Sequence, residues 1–564
     1  MNELIMNKIL RIIGLSMLLP ITVATAQDQQ GKERGEVTDA EFIIRKDRVL
    51  TLPKRNRNFE PVPALPQNQG NKQFSYAARD FFFQLPPSLS ELSPYQKKFD
   101  STIPDLYHGY AKLGFGNYQS PLAEIYINNK ESDYLNYGVK IRHQGFYEGP
   151  VDGANSAEDH TQVQLHANYF TEYFEVFGLL GYQRDRYHFY GYTPGTEVAP
   201  EQIQQLFNTI DIEGGIRNID KNEAINYQAK LGLRLFDDDY LAREHEVRLE
   251  STGSYKIMDA MNAGLDFNTY FTSPSDQTYR DVNRNYLQVR PYALYQDQGL
   301  SVRAAVNMVI ENDEYVDKPS DFHVFPELNA SYYIQEEFAL YGQVTGGVQR
   351  NTYYQFAQEN PYLGPSTQLL NTVEKLKVEA GIKGSVTDAF TYQLGIGYGD
   401  YDNMAFYANS VADSAKFEIL YNNGSVLNYT GNLGYNFSKV YGLVAEANYY
   451  HYSLDETTEA GKASSPWQRP EWVLSIQNIF TPSEQWLITG GLDMMGGIYA
   501  KNLQSGTEDT LKPIIDLNVK ADYKITDRFS VFAQGNNLLN QKNERYWNYQ
   551  SRGIQGIIGA GFKF

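Results

Sequence analysis

The chain has 564 residues, no cysteine, 45 tyrosines, 30 phenylalanines, 45 glycines and a formal net charge of −19. The absence of thiols excludes a disulfide framework, a thiolate metal centre and a lipoprotein-type anchor, so packing and hydrogen bonding alone must hold the fold. The acidic balance excludes nucleic acid as a partner, because phosphate binding needs a basic face.

At the start of the chain Lys8 and Arg11 precede an apolar run from Ile12 to Val23, and the small-x-small sequence Ala24-Thr25-Ala26 follows. This pattern predicts a secretory signal over residues 1–26, leaving Gln27 first in the mature protein. The run is about half the roughly 20 apolar residues that a spanning helix needs, which argues against a membrane anchor.

Residues 27–104 read as an irregular segment, periplasmic or lumenal, with Pro53, Pro61, Pro63, Pro66, Pro86, Pro87 and Pro94 and little periodicity. The segment holds 12 Lys and Arg against 10 Asp and Glu, a net of +2, and the signal adds +1, which leaves −22 for residues 105–564. Arg45, Lys46, Arg48, Lys54, Arg55 and Arg57 form its basic cluster. They are the candidates for occluding an acidic lumen, with Phe42, Ile43, Ile44, Phe74, Tyr76 and Phe81 to Phe83 as apolar anchors. A solvated periplasmic tail is the alternative.

From residue 105 hydrophobicity alternates with period two, the pattern of extended strands with one apolar face. Ile515, Leu517, Val519, Ala521 and Tyr523 alternate with Asp516, Asn518, Lys520, Asp522 and Lys524. The same holds from Ile225 to Leu235 and from Asn262 to Phe271. A soluble antiparallel sheet also alternates, but three features favour lipid on the apolar face. The segments run to about 10–14 residues, near the length of a tilted membrane strand and longer than most globular strands. Tyr441 and Tyr449 bracket Leu443, Ala445 and Ala447, as aromatic girdles bracket an apolar band. Short joints, Val386 to Thr391, Ile525 to Ser530, Ile334 to Ala339 and Phe480 to Trp486, take turns with long polar stretches, Gly191 to Asn208, Gln349 to Asn371 and Glu456 to Gln468.

The reading is an all-β chain: a transmembrane antiparallel β-barrel of the bacterial outer membrane over residues 105–564, with about 22 strands because no edge can stay open in lipid. Thr209 to Arg217 is included as a strand, and Met404 to Tyr421 is read as a hairpin within an external loop. The chain ends "GIIGAGFKF", in which Ile558, Ala560, Phe562 and Phe564 share one face. Phe562 and Phe564 are the candidates for barrel closure, the last strand pairing with the first. Lipid of the outer membrane and its assembly machinery are the partners this architecture requires.

No phosphate loop, HExxH sequence or nucleophile elbow is present. His143, His166 and His451 show no ligand spacing and read as girdle or lumen residues. Asp237-Asp238-Asp239 lacks the glycine and spaced ligands of a calcium loop. The sequence therefore predicts no enzyme, no cofactor and no metal.

The stretch Val531 to Phe564 resembles the end of TonB-dependent receptor barrels, where an Asn-Leu-Leu-Asn-like element precedes a tyrosine, an arginine and a glycine-bearing last strand. The matching positions are Asn537, Leu538, Leu539, Asn540, Tyr546, Arg552, Gly556 and Phe564, without the proline usual near the arginine. The resemblance implies a barrel of about 22 strands that moves a solute across the outer membrane, with TonB or other outer-membrane and periplasmic proteins as partners. The family's folded plug of over a hundred residues finds no counterpart in residues 27–104, and Val37-Thr38 is too short a match to stand for a TonB box. The alternatives are an accessory or structural barrel of an outer-membrane complex, or a passive porin.

Overall fold

The computed structural model describes residues 107–564, apart from residues 130, 131, 133, 193–195, 221–223, 277–281, 314–317, 336, 365–367, 388, 439 and 460. The signal expected at residues 1–26 and the segment 27–104 lie outside the described residues.

The strands begin with β1 (Gly109–Gly116), β2 (Ser120–Asn128), β3 (Leu135–Phe146), β4 (Glu158–Phe170), β5 (Phe174–His188), β6 (Gln204–Asn218), β7 (Ile225–Asp238) and β8 (Arg243–Met258). They continue as β9 (Met261–Ser275), β10 (Arg284–Asp297), β11 (Leu300–Asp313), β12 (Lys318–Gln335), β13 (Phe338–Gln349), a short helix α1 (Tyr353–Glu359), β14 (Thr372–Thr387), β15 (Phe390–Asn409) and β16 (Phe417–Asn436). The last are β17 (Tyr441–Leu454), β18 (Trp472–Ser483), β19 (Trp486–Gly496), β20 (Ile498–Lys501), β21 (Glu508–Leu511), β22 (Ile514–Lys524), β23 (Phe529–Asn536) and β24 (Gln555–Lys563). All but the small hairpin of β20 and β21 form one antiparallel sheet of 22 strands, in which β19 pairs with β22 and β24 returns to β1. The sheet is thereby a closed barrel, and closure satisfies the ladder groups that lipid cannot.

Alternation sorts the side chains. On β7 Leu231 is 60% exposed on the outer face, while on β8 Glu246 and Arg248 are buried inside. On β22 Val519 faces outward and Asp516 inward, and on β24 Ile558 is 70% exposed. The outer face therefore presents leucine, isoleucine, valine and tyrosine to the hydrocarbon. A Leu231→Arg substitution, at the middle of β7, is expected to cost about 2–4 kcal/mol, the range for a cation at the bilayer midplane. Denaturant unfolding of the barrel in lipid vesicles measures it.

The short joints expected from the sequence connect β12 to β13, β14 to β15, β18 to β19 and β22 to β23, all at the end of the barrel where Gly109 and Phe564 meet. At that seam Gly109 N–H donates to the Phe564 carbonyl at 2.9 Å, and Phe564 N–H returns a bond to Gly109 at 3.0 Å. Gly114 and Gly559 face each other across it. A Cβ on either would lie within 2.8 Å of the Phe532 ring, so the two glycines make room for that aromatic on the inner wall, beside Leu122 and Ile557.

Three details differ from the sequence reading. β6 starts at Gln204, inside the stretch expected to be loop, and contains Thr209 to Arg217. The segment Met404 to Tyr421 is an outward continuation of β15 and β16, not a separate hairpin. A bulge between Tyr401 and Met404, with Asn403 at φ 57°, re-aims the continuation, and both of its faces become buried. A helix, α1, stands within the loop from residue 349 to residue 371.

Candidate functional site

The inner wall carries charge in paired form. Arg248 meets Asp211 at 2.6 Å and Glu213 at 3.3 Å, Arg234 meets Asp211 at 3.1 Å, and Arg350 meets Glu246 at 2.7 Å. Asp266 lies 3.0 Å from Arg290 and 2.9 Å from Arg303. Partly desolvated ions need such partners, since an unpaired charge away from water is expensive.

The larger feature is a cap at the end opposite the short joints, which is the external end because outer-membrane barrels keep short turns on the periplasmic side and long loops outside. Thr352 and Gln355 form a capping box that starts α1: the Thr352 hydroxyl accepts from Gln355 N–H at 3.2 Å, and the Gln355 side chain accepts from Thr352 N–H at 3.0 Å. Glu244 of β8, above the apolar band, accepts from the Tyr353 and Tyr354 N–H groups at 2.8 and 3.2 Å. Burial pushes the Glu244 carboxyl above its usual range and Glu246 adds to the rise, while those two N–H groups oppose it. Tyr353 OH donates to Asp238 at 2.9 Å. The loop from β13 to β14 is thus fastened to β7 and β8.

The continuation of β15 and β16 reaches further. Lys416 at its tip lies 5.0 Å from the Phe189 ring centroid and 4.7 Å from that of Tyr240, residues that follow β5 and β7. In a ring of 22 strands β5 and β15 stand ten places apart, close to opposite. The loop from β23 to β24 closes the arrangement. Tyr549 stacks on Tyr362 at 3.6 Å between centroids, and its hydroxyl donates to the Ala415 carbonyl. Tyr190 OH donates to the Gln550 carbonyl at 3.1 Å, and Tyr546 OH donates to the Glu359 carbonyl at 2.7 Å.

Phe189, Phe207, Phe236, Phe356, Tyr407 and Phe417 are fully buried in the resulting cluster. Each such side chain contributes about 1.5–3 kcal/mol through removal from water. Glu359 at the end of α1 pairs with Arg469 and accepts from the Tyr407 hydroxyl. Burial raises that hydroxyl well above its ordinary pKa and the Glu359 carboxylate raises it further, so it stays a donor. Arg552 anchors the rim by donating to Glu158 at 2.7 Å, with its guanidinium 4.2 Å from the Phe146 ring centroid. Loops from well-separated parts of the wall therefore meet in one aromatic core across the external mouth.

The residues singled out in the sequence fall as follows. Arg45, Lys46, Arg48, Lys54, Arg55 and Arg57 lie outside the described residues. Phe562 pairs with Ala111 of β1 and with Phe529 of β23, and Phe564 ends the chain beside Gly109. His143 and His166 sit on adjacent strands with opposite parity, and His451 is on β17, so the three do not converge. The run Asp237 to Asp239 acts as a set of acceptors: Asn208 donates to Asp237, Tyr240 and Ala242 N–H donate to Asp238, and Gln204 donates to Asp239. The C-terminal element belongs to the cap: Asn537 and Asn540, both at positive φ, turn the chain out of β23, and Tyr546 and Arg552 are the contacts named above. Sequence reasoning missed α1, although Thr352-Tyr353-Tyr354-Gln355 carries the capping-box signature.

No protein-family model matches the chain, and no curated relative matches it in sequence. Solved structures match its fold. The FrpB iron transporter from Neisseria meningitidis (F3-3 variant) superposes with a TM-score of 0.66 at 10% identity, covering 82% of each chain. The ferric-catecholate import receptor Fiu from E. coli K12 gives 0.61 at 10% identity over 81% of this chain and 82% of that one. The siderophore receptor PirA from Acinetobacter baumannii gives 0.60 at 11% identity over 83% and 81%. At these identities the likeness is one of fold: the chain shares with these transporters and receptors a closed antiparallel β-barrel of the outer-membrane type.

Proposed function

We propose that this protein is an outer-membrane receptor that passes a solute through its barrel and keeps the external mouth shut with its own loops until the solute arrives. The observation that carries this reading is the aromatic core shared by opposite sides of the wall, from Phe189 and Phe236 to Phe417 and Tyr549. A barrel of this size otherwise encloses a wide channel, and a permanently open porin does not seal its mouth with fully buried aromatics. The fold likeness to an iron transporter and to siderophore receptors makes ferric chelates the first solutes to test. TonB or another periplasmic protein is the partner that would supply energy. On the periplasmic side, the basic stretch from Arg45 to Arg57 limits flow through a barrel carrying −22. Screening over about 8 Å at physiological salt limits the range over which that charge complementarity acts.

The test is uptake of radiolabelled ferric chelates by cells that lack their own receptors and express the full chain. Saturable accumulation is the expected result. Uptake that rises linearly with concentration, together with large conductance steps in planar bilayers, would identify a passive porin. Neither uptake nor conductance would leave the accessory-barrel reading in its place.

A further inference from the structure

We propose that Glu311, Asp321 and His323 bind a divalent first-row transition ion at the external rim of the lumen, a site that does not depend on the transport reading. Glu311 near the outer end of β11 is the register partner of Asp321 on β12, and His323 follows Asp321 by two residues, so all three side chains project from the inner face. Their candidate ligand atoms lie within 4.8 Å of one another, the one such grouping among the described residues.

The separations match those between ligands of a bound metal ion and are longer than a closed histidine–carboxylate bond. His323 Nε2 lies 3.3 Å from a Glu311 oxygen and 3.3 Å from an Asp321 oxygen. A charge-assisted hydrogen bond of this kind closes to about 2.7–2.9 Å, and the same wall contains one: His160 Nδ1 to Asp185 at 2.8 Å. A tetrahedral ion with bonds of about 2.0–2.2 Å to nitrogen and oxygen places its ligands about 3.3–3.6 Å apart. Both His323 distances have that value. One imidazole with two carboxylates suits Zn²⁺ and its neighbours and leaves a fourth position for water or an incoming ligand.

Supporting contacts hold the ligands in place, as metal sites require. The second Glu311 oxygen accepts from the Asn371 side chain, and Asn371 Oδ1 in turn accepts from Arg284 at 2.9 Å and from Asn351 N–H at 3.1 Å. The His323 ring stacks on Phe325 with 11° between planes. Asn371 closes the loop that carries α1, so the site sits where the cap joins the wall.

Zinc binding to the full-length protein, stripped with chelator and titrated against a chromophoric competitor, tests the site, with Co²⁺ as spectroscopic probe. The expected result is one ion per chain, a four-coordinate Co²⁺ spectrum, and binding about 10–100-fold weaker in His323→Gln. His160→Gln, which alters the ordinary pair, should bind as the unaltered protein does. If His323→Gln does not fold, as judged by heat-modifiable migration, Asp321→Asn at the more exposed ligand takes its place. Absence of stoichiometric binding, or equal weakening in the His160 and His323 variants, would overturn the assignment.

Discussion

Removal of Phe562 to Phe564 is expected to abolish assembly of the barrel, whereas removal of Gln504 to Gly506 from the exposed tip between β20 and β21 should leave it intact. Both deletions take three residues, but their backbone environments differ. The terminal three pair with Gly109, Tyr110 and Ala111 on one side, and Phe562 also pairs with Phe529 on the other. Without them the end of β1 is an open edge at the membrane, each unsatisfied group costing on the order of several kcal/mol. The tip between β20 and β21 stands in water, where lost hydrogen bonds are replaced. Recovery of heat-modifiable protein from outer-membrane fractions compares the two, and equal recovery would remove the seam's special role.

The second large effect is expected in the cap. A Tyr362→Ala, Tyr549→Ala double variant should fold with its wall unchanged yet open frequent conductance steps in planar bilayers, where the intact protein stays silent. Replacing a fully packed large aromatic by alanine costs about 3–5 kcal/mol, and these two rings stack on each other at 3.6 Å, so their losses will not add independently. Tyr549 also supplies the bond to Ala415 that ties the loop from β23 to β24 to the tip of the β15–β16 continuation. Arg469→Ala tests the same closure by another route. It strands the buried Glu359 carboxylate, a loss of about 3–5 kcal/mol for a broken buried pair. If the double variant conducts no more than the intact chain, the mouth is sealed by something other than this core.

Much of the wall was legible because a lipid-facing strand has one rule for each face, and Ile515 to Lys524 obeys it at every position. The periplasmic joints were legible for a similar reason: little chain is available to do anything else. The cap was not legible, because its residues answer to no period. Phe406 and Tyr407 lie next to each other on opposite faces of β15 and both are buried, since beyond the bulge at Asn403 neither face meets lipid. The Gln349 to Asn371 loop looked merely polar, although Thr352 and Gln355 spell out a helix start. Glu311, Asp321 and His323 were invisible for a different reason. They are brought together by register between two strands, and the ten residues from Glu311 to Asp321, with His323 two further on, correspond to no familiar ligand spacing.

The pairing of β24 with β1 also sets a timetable. These partners stand about as far apart in sequence as any in the described chain; the side-chain bond from Asn117 to the Ile554 carbonyl, for example, spans 437 residues. Contacts of such separation form late, because loop closure must precede their reward. The loop that supplies Tyr546, Tyr549 and Arg552 to the cap lies directly before β24, so it emerges from the ribosome together with the strand that completes the ring. A chain interrupted anywhere upstream lacks the closing strand and the last segment of the cap at once. Synthesis order thus makes the strand that closes the channel and the last segment of its seal available together.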